Sequence, residues 1–172
     1  MSTALTMHRA SVPVLLRALK TLRHVLEKGE AHAREKGYEP VVLLQSRLAP
    51  DMLPLVRQVQ IATDTAKFAV ARLTATESPR FEDVETTFDE LYARLDAVSA
   101  YLRTFDEAAL QGSEDRIITL TTRTRGELVF DGRDYLFGFV LPNLFFHVTT
   151  AYGILRHNGV SLGKLDYLGP DA

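Results

Sequence analysis

Apolar residues recur every three or four positions along most of this chain, which is the spacing of amphipathic helices. Leu15, Leu19, Leu22 and Leu26 follow this spacing near the amino terminus. Pro142 falls inside the last such segment, and the pattern on both sides of it predicts a continuous helix that bends at the proline. Four helices are predicted, over Ala4–Lys36, Pro50–Thr74, Glu82–Thr104 and from Arg133 or Asp134 to Asn158.

One region instead has the two-residue alternation of β-strands. Apolar and polar residues alternate there over about 117–131, which predicts a small β-hairpin before the last helix. The tail, residues 160–172, contains two glycines and a proline and is predicted to be irregular. Together these elements predict an all-α, up-and-down-type four-helix bundle. We expect residues 1–172 to form one domain, with the hairpin capping one end of the bundle.

Composition narrows the function classes. The 172 residues include 46% hydrophobic and 24% charged residues, an ordinary globular mixture. A formal net charge of −2 gives no electrostatic reason to expect nucleic acid or an anionic membrane as partner. The chain has no cysteine, which excludes disulfides and thiolate metal sites.

The first residues are too charged for a signal peptide. The longest apolar stretch, Tyr135–Phe146, is too short and too interrupted to span a bilayer. We therefore expect a soluble cytoplasmic protein without a membrane partner.

The predicted fourth helix carries polar residues on an otherwise apolar face. Asn143, His147 and Thr150 share that face because residues three and four apart align on a helix. On the second helix, Gln58 and Asp51 lie along one edge of the apolar stripe and face these residues if the two stripes meet. The group is either a hydrogen-bonded polar network in the core or a site for a metal or small ligand.

Two further polar positions on the second helix, Gln60 and Asp64, point away from its apolar stripe. The remaining histidines have no ligand spacing. His24 and His32 are predicted to be solvated, His157 to stabilise the end of the last helix, and His8 to reach the end of the bundle or remain in solvent.

Four arginines cluster around the hairpin with four carboxylates between them, so we interpret the region as a salt-bridged surface rather than an anion site. The arginines are Arg116, Arg123, Arg125 and Arg133.

The sequence resembles the domain of unknown function 1993 family. The resemblance covers nearly the whole chain and is most specific in LAPDM, FHVTTAY and LRHNG. That family is similar in architecture to the DinB/YfiT-like metalloenzymes, which are four-helix bundles. In typical members a histidine of the second helix and a His-x-x-x-His pair of the fourth bind a divalent metal. The resemblance places His147 on the second histidine of that pair, Asn143 on the first, and Gln58 near the remaining one.

A degenerate metal site is implied by this correspondence, with His147 as the only good candidate ligand. We therefore expect no resident cofactor and a non-catalytic or small-molecule-binding protein. The alternative is a divalent-metal-dependent enzyme, such as a thiol transferase or a hydrolase. A third hypothesis is metal-free acid–base catalysis by His147 and Asp51, although no substrate-binding motif accompanies these residues.

The last helix also predicts a homodimer. It carries more apolar surface than a single core-facing stripe requires, and exposed apolar patches commonly mark interfaces. This surface is predicted to include Phe139, Leu144, Phe145, Val148, Tyr152 and Leu155.

Overall fold

The computed structural model describes residues 5–122 and 126–169, and it shows a four-helix bundle with a hairpin before the last long helix. Each of the four long helices neighbours two others in the ring order α1, α4, α3, α6. Consecutive long helices α1 and α3 therefore lie across the bundle, unlike in a simple up-and-down arrangement. The helices are α1 (Met7–Lys36), the short α2 (Val41–Leu44), α3 (Leu55–Thr74), α4 (Phe88–Leu102), the short α5 (Gly132–Asp134), α6 (Leu141–His157) and the short α7 (Lys164–Leu168).

Local signals set the ends of α1. The Thr6 hydroxyl accepts a hydrogen bond from the backbone N–H of Arg9, which caps the amino end. Gly37 ends the helix in the left-handed conformation, with φ of 75°, which glycine adopts without strain. The predicted start at Ala4 lies outside the described residues.

Two helices begin later than predicted. α3 begins at Leu55 rather than Pro50, because Pro54 is extended and occupies the position before the first turn. α4 begins at Phe88 rather than Glu82, because Thr87 and Glu90 form a reciprocal capping box there. The residues before each cap are therefore loops, although their composition is compatible with a helix.

The last helical run is continuous from Gly132 to His157. Between α5 and α6 the chain forms a π-helical segment, Tyr135–Val140, in which the Leu141 N–H bonds to the Leu136 carbonyl five residues earlier. Pro142 comes immediately afterwards, within the first turn of α6, where a proline is tolerated. Continuity through the proline is therefore confirmed.

The same helical run can also be compared with the length and composition of a membrane-spanning helix. Within the described part of the chain it is the one helix long and apolar enough to cross a membrane by length and composition. Part of it is covered by the bundle: 44% of its most apolar window is buried inside the protein, and α6 packs against α1 and α3.

The hairpin and tail complete the fold. β1 (Ile118–Thr122) and β2 (Gly126–Phe130) pair antiparallel, which confirms the predicted hairpin. Ile118 and Leu120 are buried, and the Phe130 ring packs on Tyr135 and Phe139.

The prediction of an irregular tail is wrong in part, because α7 forms within it. Asp166 accepts a hydrogen bond from the Gly163 N–H and also bonds Lys28 and His24 of α1, which fixes this short helix on the bundle.

Candidate functional site

His147 lies on the face of α6 that packs against α3, and its side chain is buried. Its Nδ1 is 2.7 Å from the Gln58 Oε1. The Gln58 Nε2 donates to the Leu53 carbonyl at 2.9 Å, so the amide oxygen must face the imidazole. The oxygen can only accept, and we therefore assign the proton to Nδ1. This tautomer leaves a lone pair on Nε2.

The second ring nitrogen of His147 reaches the surface. Nε2 makes no hydrogen bond within the described residues. In that part of the chain, every fully buried side-chain nitrogen or oxygen has a hydrogen-bond partner, so Nε2 is not fully buried. Part of the 8% exposure of this residue must therefore belong to Nε2. The neighbouring Phe146 ring meets the imidazole edge to face, at 5.2 Å between centroids. The site therefore presents one hydrogen-bond acceptor beside an aromatic ring.

Burial also determines the charge of His147. Desolvation disfavours the imidazolium and lowers the pKa of His147 to about 4. The partner of Nδ1 is a neutral amide, which supplies no negative charge to oppose this effect. The side chain is therefore neutral at pH 7, and it is a weak base.

The other predicted site residues do not join the His147–Gln58 pair. Asn143 donates from Nδ2 to the Thr65 hydroxyl at 2.8 Å, which forms a separate link between α6 and α3. The Thr150 hydroxyl donates to the Phe146 carbonyl of its own helix. The structure thus contains two polar links between these helices rather than one cluster.

The prediction that Asp51 lies on the buried edge of the second helix is wrong. The helix starts at Leu55, and Asp51 is an exposed residue of the preceding turn. Arg47 stabilises that turn by donating to the carbonyls of Pro50 and Met52. The hydrogen bond of His147 goes to Gln58, and none links it to Asp51 among the described residues, so the acid–base pair has no support from these contacts.

The donor set does not fit a divalent metal. Across residues 5–122 and 126–169, no three His, Asp or Glu side chains form a group that could hold a metal ion. Gln58 engages both atoms of its amide, with Leu53 and His147, and Asn143 donates from Nδ2 to Thr65. Among the described residues of this site, His147 Nε2 and the neutral Asn143 Oδ1 are the donors left, whereas zinc sites use three or four good ligands.

Sequence patterns missed a second buried polar group, which we call the Arg94 network: Arg94, Lys67, Asp64, Asp83 and Glu85. Arg94 is only 2% exposed and pairs with all three carboxylates at 2.7–2.9 Å. Lys67 is 3% exposed and bonds Asp64 at 2.8 Å. Asp83 and Glu85 belong to the connection between α3 and α4, residues 75–87, so the network ties this loop to both helices.

Each buried charge of the Arg94 network is paired with an opposite charge. Burial alone would raise the pKa of Glu85, but hydrogen bonds from Arg94 and Gln60 outweigh this effect and hold the pKa below its ordinary value. Gln60 was predicted to point away from the apolar stripe of its helix. It is nevertheless buried, and it donates to Glu85 of the covering loop at 2.7 Å. The Phe81 ring packs against both cations, with Lys67 Nζ and Arg94 Cζ each 4.6 Å from its centroid. Since each charge has a partner, the network is structural.

The other histidines have structural contacts or lie in solvent. His8 donates to the Phe105 carbonyl at 3.1 Å and so reaches the bundle end. His24 and His32 were predicted to be solvated, and this holds only in part: His24 bonds Asp166 with 36% of its side chain exposed, and His32 is half-buried. His157 is exposed in the last turn of α6.

Of the arginines near the hairpin, Arg116 donates to the Leu73 carbonyl and Arg133 lies 3.7 Å from Asp131. Arg123 and Arg125 lie outside the described residues.

Comparison with known proteins identifies the family and the fold. Residues 7–168 match the family described as Domain of unknown function (DUF1993). The crystal structure of a DinB family member protein from Shewanella denitrificans is 44% identical and superposes with a TM-score of 0.88. The match covers 95% of this chain and 92% of that one. No curated protein matches. The chain therefore belongs to the DUF1993 family and has the four-helix-bundle fold of a DinB family member.

Proposed function

We propose that this protein is a non-catalytic, small-molecule-binding bundle in which His147 receives a hydrogen bond from a neutral ligand. The observation that carries the proposal is the bond from Nδ1 to Gln58, because it leaves Nε2 as an acceptor at the surface. The ligand class is a small molecule with an O–H or N–H donor and an apolar face, since the Phe146 ring borders the acceptor.

Binding is better supported than acid–base catalysis. A general base works best when its pKa lies near the operating pH, and the pKa of His147 is lowered to about 4. Catalytic histidines are also commonly oriented by a carboxylate, whereas Gln58 is a neutral amide. These groups suit recognition of a donor rather than removal of its proton. A soluble, cytoplasmic location belongs to the same proposal, and the partial burial of the most apolar helix, 44% of its most apolar window, is consistent with solubility.

Nitrogen-detected NMR of the histidine side chains tests this function. Phenol, which has a donor and an aromatic face, is expected to shift the Nε2 resonance of His147, whereas anisole, which lacks the donor, leaves it unchanged. Gln58→Leu removes the group that fixes the tautomer and should weaken the phenol response. A proton on Nε2 in the free protein, or equal responses to phenol and anisole, would refute the proposal.

Metal content separates this function from the metal-dependent enzyme. One surface-reaching imidazole nitrogen is a poor site for zinc or nickel, so we expect far less than one metal ion per chain. Elemental analysis of protein purified without chelator or affinity tag measures this. About one ion per chain, lost in His147→Ala, would instead support a divalent-metal-dependent thiol transferase or hydrolase.

A further inference from the structure

Two clefts adjoin where the carboxyl-terminal segment crosses α1. One, of about 380 Å³, lies between α1 and α4, and the other, of about 280 Å³, lies between α1 and α6. Arg17, Thr21 and Leu168 line both, so we treat them as one paired cleft. Each volume is near the lower end of the range typical of small-molecule sites.

The hydroxyl of Thr21 lacks a protein partner in the paired cleft. Thr21 is only 5% exposed and makes no hydrogen bond within the described residues. The hydroxyls of Thr63, Thr74 and Thr150 all donate to carbonyls of their own helices. Buried polar groups normally find partners, and no fully buried oxygen of the described residues is unpaired. The Thr21 hydroxyl therefore opens onto the cleft and can bond a ligand there.

The two halves of the paired cleft differ in charge. Arg17 and Arg103 line the α1–α4 half, and neither forms an ion pair with a described carboxylate. Asp96, which also lines this half, pairs with Arg23 at 2.7 Å. The Arg17 Nη2 donates to the Leu168 carbonyl, which holds the guanidinium where the halves meet.

The α1–α6 half is apolar. Apart from Arg17, where the halves meet, its walls are aliphatic and aromatic, with the Thr21 and Tyr167 hydroxyls as the uncharged polar groups; the apolar residues are Val14, Ala18, Phe145, Val148 and Leu168. Tyr167 is already engaged, since its hydroxyl lies 2.8 Å from that of Thr149. This half can bury an apolar group without stranding a charge.

We propose that the paired cleft binds a small amphipathic anion. Its apolar body occupies the α1–α6 half, its carboxylate or phosphate pairs with Arg17, and the Thr21 hydroxyl bonds the same anionic group. Guanidinium groups recognise both anions well. The site is separate from His147, which lines neither half of the cleft and bonds Gln58 of α3 instead.

Calorimetric titration with defined probes tests the site. Octanoate and octyl phosphate carry both features, octanol lacks the charge, and acetate lacks the apolar body. We expect octanoate or octyl phosphate to bind about tenfold more tightly than octanol or acetate, since one charge-assisted hydrogen bond contributes about that factor. The stronger of the two amphiphiles identifies the anionic group.

Variants separate binding from folding. Thr21→Val and Arg17→Gln should each weaken the amphiphile about three- to tenfold, whereas Thr74→Val, whose hydroxyl serves its own helix, should not. If Thr21→Val fails to fold, methyl NMR of the unsubstituted protein replaces it: octanoate should shift Val148 and leave the distant, exposed Val84 unchanged. Absence of amphiphile binding at millimolar concentration, or unchanged affinity in both cleft variants, would overturn the proposal.

Discussion

At the scale of single residues, the amide of Gln58 determines what His147 can do. The amide orients the imidazole through its hydrogen bond to Nδ1, but unlike a carboxylate it does not stabilise a positive charge on the ring. Burial therefore acts almost unopposed and lowers the pKa of His147 to about 4. The consequence reaches beyond ligand binding, because a shifted pKa couples folding to pH.

Stability should fall in mild acid through His147. Its pKa is lowered from 6.5 to about 4 in the folded protein. As the pH falls below 6.5 the unfolded chain takes up this proton while the folded protein does not, so the free energy of unfolding decreases until the pH reaches about 4. The loss should be at most about 3 kcal/mol, with no contribution above pH 6.5.

Urea denaturation at about pH 7.5 and about pH 4.5 measures this loss. His147→Gln should reduce the difference between the two pH values, and His157→Gln, at an exposed position on the same helix, should preserve it. Equal pH dependence in the wild type and His147→Gln would contradict the argument.

At the scale of elements, the Arg94 network joins the loop 75–87 to the bundle. Arg94→Met should lower the free energy of unfolding by about 3–5 kcal/mol, because three partly buried carboxylates lose their common partner. The control is Arg80→Met, at an exposed position of the same loop, with an expected change within about 0.5 kcal/mol. Similar denaturation midpoints for the two variants would show that the network contributes little.

A second element-scale prediction concerns the start of the last helical run. A Cβ on Gly132 would overlap the Ser113 carbonyl oxygen, whereas one on Gly138 would meet no atom within 4 Å. Gly132→Ala should therefore destabilise the protein by about 1–3 kcal/mol. Gly138→Ala should be neutral or stabilising by up to about 1 kcal/mol, since alanine favours helix. Thermal unfolding of both variants checks the contrast, and equal melting temperatures would contradict it.

The predicted elements show how much hydrophobic periodicity can reveal. It located all four long helices, the hairpin, and the facing positions of His147 and Gln58, because these depend on spacing within one element. It missed the starts of α3 and α4, which Pro54 and Thr87 set. It also missed Arg94, because two of its three carboxylate partners, Asp83 and Glu85, come from a loop that folds back over the helices. A pattern along one helix carries no information about such a loop.

At the scale of the whole molecule, the outer face of α6 and the preceding π-helical segment is strongly apolar. No Asp, Glu, Lys or Arg occurs between Asp134 and Arg156. Phe137, Phe145 and Phe146 are 45%, 39% and 57% exposed. Several residues predicted to form this surface lie in the core instead, namely Leu144, Val148 and Leu155. The surface that remains is largely aromatic.

We propose that this surface forms a closed homodimer, the commonest use of one self-complementary patch. Light scattering at micromolar concentration should give about twice the 19.2 kDa mass of one chain. Phe146→Lys should favour the monomer, whereas Val84→Lys, at a still more exposed position on the loop 75–87, should not. A wild-type mass near 19.2 kDa would refute the proposal.

The π-helical segment also divides the last helical run into two parts whose side chains are rotated about the helix axis relative to each other. We call these two parts rotational frames. One extra residue in a helical turn rotates the residues before that turn by about 100° relative to the residues after it. Tyr135 faces the core in the first frame and bonds Arg72, while His147 faces Gln58 in the second. Deleting one residue from this segment would restore regular α-helix and leave only one of these side chains correctly aimed. An insertion or a deletion in this segment would therefore change which of the two side chains faces its partner. A substitution at either end could not reproduce that effect.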